Sequence, residues 1–141
     1  MSTQAMTLDE LYAEFDELGD WDAQCDYLID LGHELPKLPA EAKIEANRVH
    51  GCQSNVWLVA QVSPTAPRRV EFQANSDAII VNGLIAVLQI MYGGHTAAEI
   101  LALDARQVFE RLGLQHQLSP QRRNGLFGMV ERIREIARQA V

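Results

Sequence analysis

The sequence predicts an α+β fold in which a small three-stranded antiparallel sheet is packed by helices on one face. Two changes of hydrophobic period carry this prediction. Residues 7–35 and 76–140 place apolar side chains at helical spacing, whereas residues 56–74 alternate apolar and polar side chains as strands do. The 141 residues are an ordinary length for one domain, and no repeat or linker divides them. We therefore expect residues 1–141 to form a single domain.

Two helices are predicted at the N-terminal end. Thr7 and Glu10 have the spacing of a capping box, which predicts the start of the first helix, and Gly19 predicts its end. Asp20 is placed to cap the second helix, which ends at the prolines of ELPKLP. Cys25 lies among the apolar residues of this helix, and we expect it in the core because free cysteine is commonly buried.

The sheet is predicted in the middle of the chain, after a short helical turn at residues 40–46. The sequences NVWLVAQV and RVEFQA both alternate and are separated by the turn SPTAP, so they are predicted to pair as a hairpin. A third strand near Asn47–Val49 would complete the sheet. Cys52 would then lie in the connection between two strands.

Helical spacing returns after the sheet. The sequence AIIVNGLIAVLQIMY is apolar on all sides, which predicts a central buried helix capped by Ser76 or Asp77 and ended by Gly93 and Gly94. Further helix starts are indicated by three capping patterns: Thr96 with Glu99, Asp104, and Ser119 before Pro120.

Composition excludes several classes of function. The net charge of −7 argues against nucleic acid as the main partner, since binding to phosphates requires clustered Lys and Arg. The N-terminal residues do not have the form of a signal peptide, and no apolar segment reaches the length of about 20 residues that spans a membrane. We therefore expect a cytoplasmic protein whose two cysteines are free thiols.

Cys52 is the residue whose surroundings most suggest chemistry. It follows Gly51, which allows unusual backbone conformations and leaves space beside the sulfur. Gln53 and Ser54 supply hydrogen-bond donors, and a reactive thiolate needs donors or positive charge nearby. On these residues alone, a functional thiol and an incidental loop cysteine both remain open.

Other chemistries are weighed against this. Zinc requires about four ligands, usually in closely spaced pairs, whereas the four histidines of this chain are scattered and no Cys-x-x-Cys occurs. His50 lies two residues before Cys52, so a Cys–His hydrolase or transferase remains formally open, although no third group is evident to orient the histidine.

The start of the last helix contains two further unusual features. Arg122 and Arg123 place positive charge where the helix dipole disfavours it, and Gly125 lowers the helix propensity. A solvated surface pair would explain the arginines. A functional use of the arginines, and a close approach of another backbone to Gly125, are the alternatives.

Together these segments resemble the SufE family, the sulfur acceptors that partner cysteine desulfurases in iron–sulfur cluster assembly. The sequence NRVHGCQSNVWLV is similar to the family's active-loop signature. The segments DWDAQCDYLIDLGHELPKLP, NSDAIIVNGLIAVLQIMYGGHTAAEIL and LGLQHQLSPQRRNGLFGMVERI are similar to family segments in the same order. The resemblance extends from about Leu8 to Ile136 and implies the fold that SufE shares with the scaffold protein IscU.

The resemblance also implies a function. Cys52 would accept a persulfide, with Gly51, Gln53 and Ser54 as supporting residues, and Arg122 corresponds to the arginine of the family's Ser-Pro-Ser-Arg pattern. The chain would stimulate its desulfurase and pass sulfur on for iron–sulfur cluster assembly, without being an enzyme on its own.

The resemblance further implies the partners. A SufS-type cysteine desulfurase would hold pyridoxal phosphate, a downstream iron–sulfur scaffold would receive the sulfur, and this chain would need no cofactor or metal. It would be a monomer or a weak homodimer. Service in a different, CsdE-like desulfurase pathway is the alternative. The chain departs from the family pattern at Gln121, which replaces a serine, and in the order His116–Gln117; the family also does not hold position 50 to histidine.

Overall fold

In the computed structural model, which describes residues 6–50 and 54–141, a small sheet lies against a group of helices. The elements follow in this order: α1 (Leu8–Leu18), α2 (Trp21–His33), β1 (Val56–Val62), β2 (Arg69–Ser76), α3 (Ile79–Tyr92), β3 (His95–Thr96), α4 (Ala97–Ala102), α5 (Ala105–Leu112), α6 (Leu114–Gln117) and α7 (Pro120–Ala140). Two short 3-10 turns, Ala40–Ala42 and Glu45–Asn47, lie between α2 and β1. The predicted α+β class is confirmed.

The predicted helix caps are confirmed at most positions. Thr7 Oγ1 accepts a hydrogen bond from Glu10 N, and the Glu10 carboxylate accepts one from Thr7 N, which completes the capping box. Gly19 ends α1 with a φ of 82°, a conformation that favours glycine. Asp20 caps α2 by accepting from Ala23 N. Side-chain caps are likewise present at three later helix starts: Thr96, Asp104 and Ser119.

The sheet differs from its prediction in its third strand. The order is β1-β2-β3 with antiparallel pairing throughout, and β3 pairs with Arg69 and Val70 of β2. The predicted strand near Asn47–Val49 is wrong. Asn47 ends a 3-10 turn, so this segment contributes only an isolated bridge between Arg48 and Trp57. A two-residue strand such as β3 is too short to show an alternating pattern.

One face of the sheet enters the core, as predicted. The buried strand residues alternate with half-buried or exposed ones along β1 and β2: Val56, Leu58, Val70, Phe72 and Ala74. Helix α3 packs on this face and is buried along most of its length. Gln89 of α3 is the buried polar residue among those described, and its Nε2 donates to the Phe72 carbonyl at 2.6 Å.

The start of α3 corrects a second prediction. Neither Ser76 nor Asp77 is the N-cap; that position is Ala78, without a capping side chain. The reason lies in the partners of the two polar residues. The Ser76 hydroxyl accepts from Ala78 N at 3.1 Å, before the first helical residue, and the Asp77 carboxylate binds Asn55. The backbone of Ser76 pairs with the Asn82 side chain, which accepts from Ser76 N at 2.8 Å and donates to Ser76 O at 3.0 Å.

Helices α2 and α3 cross through a pair of glycines. A methyl group at Gly32 would lie 2.7 Å from Gly83 N, and one at Gly83 would lie 2.7 Å from the Leu28 carbonyl oxygen. Because both neighbours are backbone atoms, no side-chain movement could make room for the added carbon. Glycine at both positions is therefore required by the close contact of the two helices.

Tyr92 is fully buried at the C-terminal end of α3. Burial raises its pKa to about 12, and the neighbouring Arg134 partly opposes this shift. The Arg134 guanidinium lies 3.4 Å from the carbonyl oxygens of Ile100, Leu101 and Leu103, at the end of α4. Arg134 thus connects α7 to the α4–α5 junction. In the part of the chain that the structure describes, no helix is long and apolar enough to cross a membrane.

Candidate functional site

The predicted site divides between described residues and the segment at 51–53. Gly51, Cys52 and Gln53 lie outside the described residues. Ser54 and Arg122, the remaining two predicted site residues, are described, and they line the same cavity. The structure therefore brings together two residues that are 68 positions apart in sequence, immediately beside the predicted reactive segment.

The cavity lies between the N-terminal half of α7, the first turns of α3, and Ser54. Its volume is about 30 Å³, enough for one or two atoms of the size of a water molecule. Its apolar lining comes from two helices: Val81, Leu84, Leu126 and Met129. Ser54, Gln121 and Arg122 supply its polar lining. A small cavity with both apolar and polar residues in its lining is suited to hold one or two atoms of a reactive group.

Arg122 is the charged residue of this cavity. Ser119 caps α7 by accepting from Arg122 N at 3.2 Å, which fixes the backbone of Arg122 in the first turn of the helix. Its side chain is partly exposed, yet the Nη1 atom is buried and has no hydrogen-bond partner within residues 6–50 and 54–141. A buried donor without a partner is costly, so the guanidinium retains unused hydrogen-bonding capacity beside the cavity.

Arg123 has a different role from its neighbour. Its Nη1 donates to the Gln115 carbonyl oxygen at 2.9 Å and so connects α7 to α6. The two consecutive arginines are therefore not an equivalent solvated pair: one holds the structure together, and the other faces the cavity. Gly125 is buried and lines the cavity, and the close approach of another backbone to it stays a prediction. One turn later, such an approach is seen at Gly128, where an added methyl group would lie 3.2 Å from the His50 carbonyl oxygen.

The chain before residue 51 is held by ionic contacts and by α7. Glu45 lies 3.1 Å from His50 Nε2 and 3.6 Å from the Arg48 guanidinium. Arg132 of α7 donates to the Ala46 carbonyl oxygen at 3.1 Å and lies 3.4 Å from that of Arg48. We call residues 45–50 the N-arm of the site.

The chain after residue 53 is anchored to the start of α3. Asn55 N and Nδ2 donate to the two carboxylate oxygens of Asp77 at 3.2 and 2.9 Å, and Asp77 N donates back to Asn55 O at 3.3 Å. These three hydrogen bonds fix the position of Asn55 relative to the start of α3, and Ser54 directly precedes Asn55. No sequence motif marks Glu45, Asp77 or Arg132 as residues of the site, and Asp77 and Arg132 are also distant from residue 52 in sequence.

The prediction that Cys25 lies in the core is wrong, because the residue is half-buried. Partial burial is the main cause that raises its pKa, and the charges of Asp26 and Asp22 add to the effect. The positive charge of Arg122 acts in the opposite direction. Cys25 is therefore a protonated thiol at neutral pH, which makes it a poor nucleophile.

The described residues offer little for metal binding. Across residues 6–50 and 54–141, no three His, Cys, Asp or Glu side chains gather closely enough to hold an ion. The His50–Glu45 pair is exposed on both sides, with about 70% of each side chain accessible.

The fold and the site together define a class of protein: a small α+β domain with a cavity beside a cysteine-containing connection. The family profile described as "SufE: Fe-S metabolism associated domain" matches residues 9–137. The chain therefore belongs to the SufE family, as the sequence predicted. This family membership gives the chain a role in Fe–S metabolism as a sulfur-transfer protein that interacts with a cysteine desulfurase.

Individual relatives agree with this assignment. An uncharacterised SufE-like protein from Rhizobium etli is 44% identical over 133 residues, which cover 94% of this chain and 90% of the relative. A second from Rhizobium meliloti is 39% identical over 132 residues, covering 93% and 94%. The solution structure of a hypothetical protein from Thermus thermophilus superposes with a TM-score of 0.75 over 96% of this chain and 98% of that one, at 21% identity. This last similarity shows the fold.

Proposed function

We propose that the chain accepts sulfur from a cysteine desulfurase as a persulfide on Cys52, stimulates that desulfurase and delivers the sulfur for iron–sulfur cluster assembly. The observation that carries the proposal is the cavity that Ser54 and Arg122 share. Ser54 lies two positions after Cys52, and Arg122 corresponds to the arginine of the family's Ser-Pro-Ser-Arg pattern. Gly51 and Gln53 complete the supporting residues. The chain works as an accessory protein, without turnover of its own.

The transfer step is a thiol exchange. The Cys52 thiolate attacks the terminal sulfur of the desulfurase persulfide, a new S–S bond forms on Cys52, and the desulfurase thiolate leaves. The pyridoxal phosphate that first removes sulfur from cysteine belongs to the desulfurase, and this chain supplies no cofactor. The persulfide anion then needs a donor, and Arg122 Nη1 is a buried cationic donor at the cavity.

Two exposed isoleucines support a partner surface around the reactive segment. Among the described residues, three large apolar side chains are exposed: Ile44 at 52%, Ile79 at 59% and the C-terminal Val141 at 80%. Ile44 directly precedes the N-arm, and Ile79 lies two residues after Asp77. Apolar side chains at these two places would be covered when a desulfurase docks. Replacing either by Lys should weaken binding of the desulfurase, whereas Val141→Lys should not.

The decisive experiment is intact-mass measurement after incubation with a cysteine desulfurase and cysteine. The wild-type chain should gain about 32 Da per sulfur, and Cys52→Ser should gain none. Cys25→Ser is the matched control and should gain sulfur normally. A mass gain in Cys52→Ser, or its loss in Cys25→Ser alone, would contradict the assignment. Comparing SufS-type and CsdE-linked desulfurases as donors decides between the two pathways.

A Cys-dependent hydrolase or transferase is the second candidate. The contact of His50 with Glu45 at 3.1 Å supplies the third, orienting group that the sequence did not reveal. This function requires turnover of an ester or amide without a partner protein, and its loss in His50→Gln. Under the sulfur-acceptor function, His50→Gln keeps its mass gain and the chain hydrolyses neither substrate.

A further inference from the structure

We infer that Arg132 and Gly128 of α7 position the N-arm, and through it the reactive thiol. Both residues lie on one face of the helix, four positions apart, so their contacts act together along one turn. Neither residue lines the cavity, and neither is among the site residues that the resemblance implies. The inference rests on the proposed function of Cys52 and adds residues to its machinery.

Arg132 acts through two carbonyl groups of the N-arm. Its guanidinium donates to Ala46 O and approaches Arg48 O, on either side of the end of the 3-10 turn. The carbonyl groups at the end of such a short turn have no partner within the turn, so the guanidinium supplies one. A planar guanidinium with several donors in a fixed geometry is well suited to hold two neighbouring carbonyl groups.

Gly128 acts through the space that it leaves. An added methyl group would lie 3.2 Å from the His50 carbonyl oxygen, tighter than ordinary contact. The backbone of His50 would have to shift by a few tenths of an ångström. His50 is joined to Cys52 through a single residue, so covalent bonds transmit such a shift towards the thiol. The missing side chain of Gly128 thus lets the N-arm lie directly on α7.

The remaining contacts of the N-arm do not replace this support. Glu45 pairs with Arg48 and His50, but all three residues belong to the arm itself. Asn47 donates to the Ala42 carbonyl oxygen, which is also local. The bridge between Arg48 and Trp57, with Val49 N donating to Val56 O at 2.9 Å, fixes the arm to β1. Arg132 and Gly128 are the described contacts that fix it to α7, the helix that also contains Arg122.

The test compares persulfide loading in four variants of the full chain. Arg132→Met should load about three- to tenfold more slowly, the effect expected when an ordinary hydrogen bond is lost. Arg132→Lys keeps one cationic donor and should recover part of the rate. Arg138→Met removes an arginine of the same helix that pairs with Glu131 and Glu135, and it should load normally. Gly128→Ala should load slowly although alanine favours the helix more than glycine does.

Two measurements separate positioning from a loss of folding. Thermal unfolding should occur at similar temperatures in Arg132→Met and Arg138→Met, and no lower in Gly128→Ala than in the wild type. The rate at which iodoacetamide alkylates Cys52, read by mass without any partner, should change at least threefold in Arg132→Met and Gly128→Ala. Loading and alkylation at wild-type rates in both variants would overturn the inference.

The proposed function and this inference fail in different ways. If the wild-type chain gains no sulfur, sulfur acceptance by Cys52 is wrong, and the alkylation rates alone then decide whether Arg132 and Gly128 position the thiol. If the wild type gains sulfur and Arg132→Met does so at the same rate with unchanged alkylation, sulfur acceptance stands and the positioning role is wrong.

Discussion

Replacing Arg122 by Met should stabilise the free protein while it impairs sulfur transfer. Methionine keeps an apolar stem of similar length, so the packing beside Leu126 and Met129 is largely retained. The change removes a buried donor that has no partner among the described residues. Leaving such a donor unsatisfied costs about 1–3 kcal/mol of stability. It also removes a positive charge from the first turn of α7, worth about 0.3–1 kcal/mol.

The net gain in the free energy of unfolding should be about 1–2 kcal/mol, because some packing of the guanidinium is lost. For a chain of this length that corresponds to a rise in Tm of about 3–8 °C. Sulfur loading should fall by about tenfold or more, the loss expected for a hydrogen bond to a charged group. Arg123→Met is the matched control: it removes the bond to Gln115 O, so stability should fall and loading should persist.

The assays are differential scanning calorimetry for stability and intact mass against time for loading. A lower Tm for Arg122→Met than for the wild type would show that the guanidinium stabilises the fold. Loading at the wild-type rate would show that Arg122 does not serve the transfer. Either result refutes the reasoning from its buried, unpartnered Nη1.

Three further outcomes are expected. Because the pKa of Tyr92 is raised to about 12, the stability that its protonated form contributes is complete below pH 10 and is lost as pH rises towards 12. The loss is at most about 2–3 kcal/mol. Denaturant unfolding between pH 8 and 11.5 should show it, and the loss should be smaller in Tyr92→Phe. Gly83→Ala should destabilise by about 1–3 kcal/mol in the same assay, since its methyl would meet the Leu28 carbonyl oxygen at 2.7 Å, and an unchanged midpoint would show that α2 and α3 can separate at little cost. In Cys52→Ser, alkylation of Cys25 should follow a pH profile shifted above that of a free thiol, and equal reactivity at neutral pH would contradict its raised pKa.

The sequence was most informative where structure depends on near neighbours. The capping residues Thr7, Asp20 and Thr96 were predicted correctly because a cap is decided within four residues. The alternation along β1 and β2 was equally local. The errors arose where a distant partner decided the outcome. Asp77 binds Asn55 and so does not cap α3, and β3 exists only because β2 is beside it.

The same distinction applies to the site. Arg122 could be selected from the sequence because positive charge at a helix start is unusual. Its buried Nη1, by contrast, depends on how α7 packs beside α3, which no local pattern encodes. Arg132 looked like an ordinary arginine of an amphipathic helix. Its contact with the N-arm joins residues 84 and 86 positions apart in sequence, and only the fold reveals it.

The glycine crossing of α2 and α3 has a mechanical consequence. Where two backbones touch through glycines, no side chain can change rotamer to let one helix slide or tilt against the other. Helices α2 and α3 should therefore behave as one stiff plate, and Val81 and Leu84 form part of its surface under the cavity. Any movement of the site when a partner docks should therefore occur in α7 and in the two chain segments that flank residues 51–53. Helices α2 and α3 should keep their relative position.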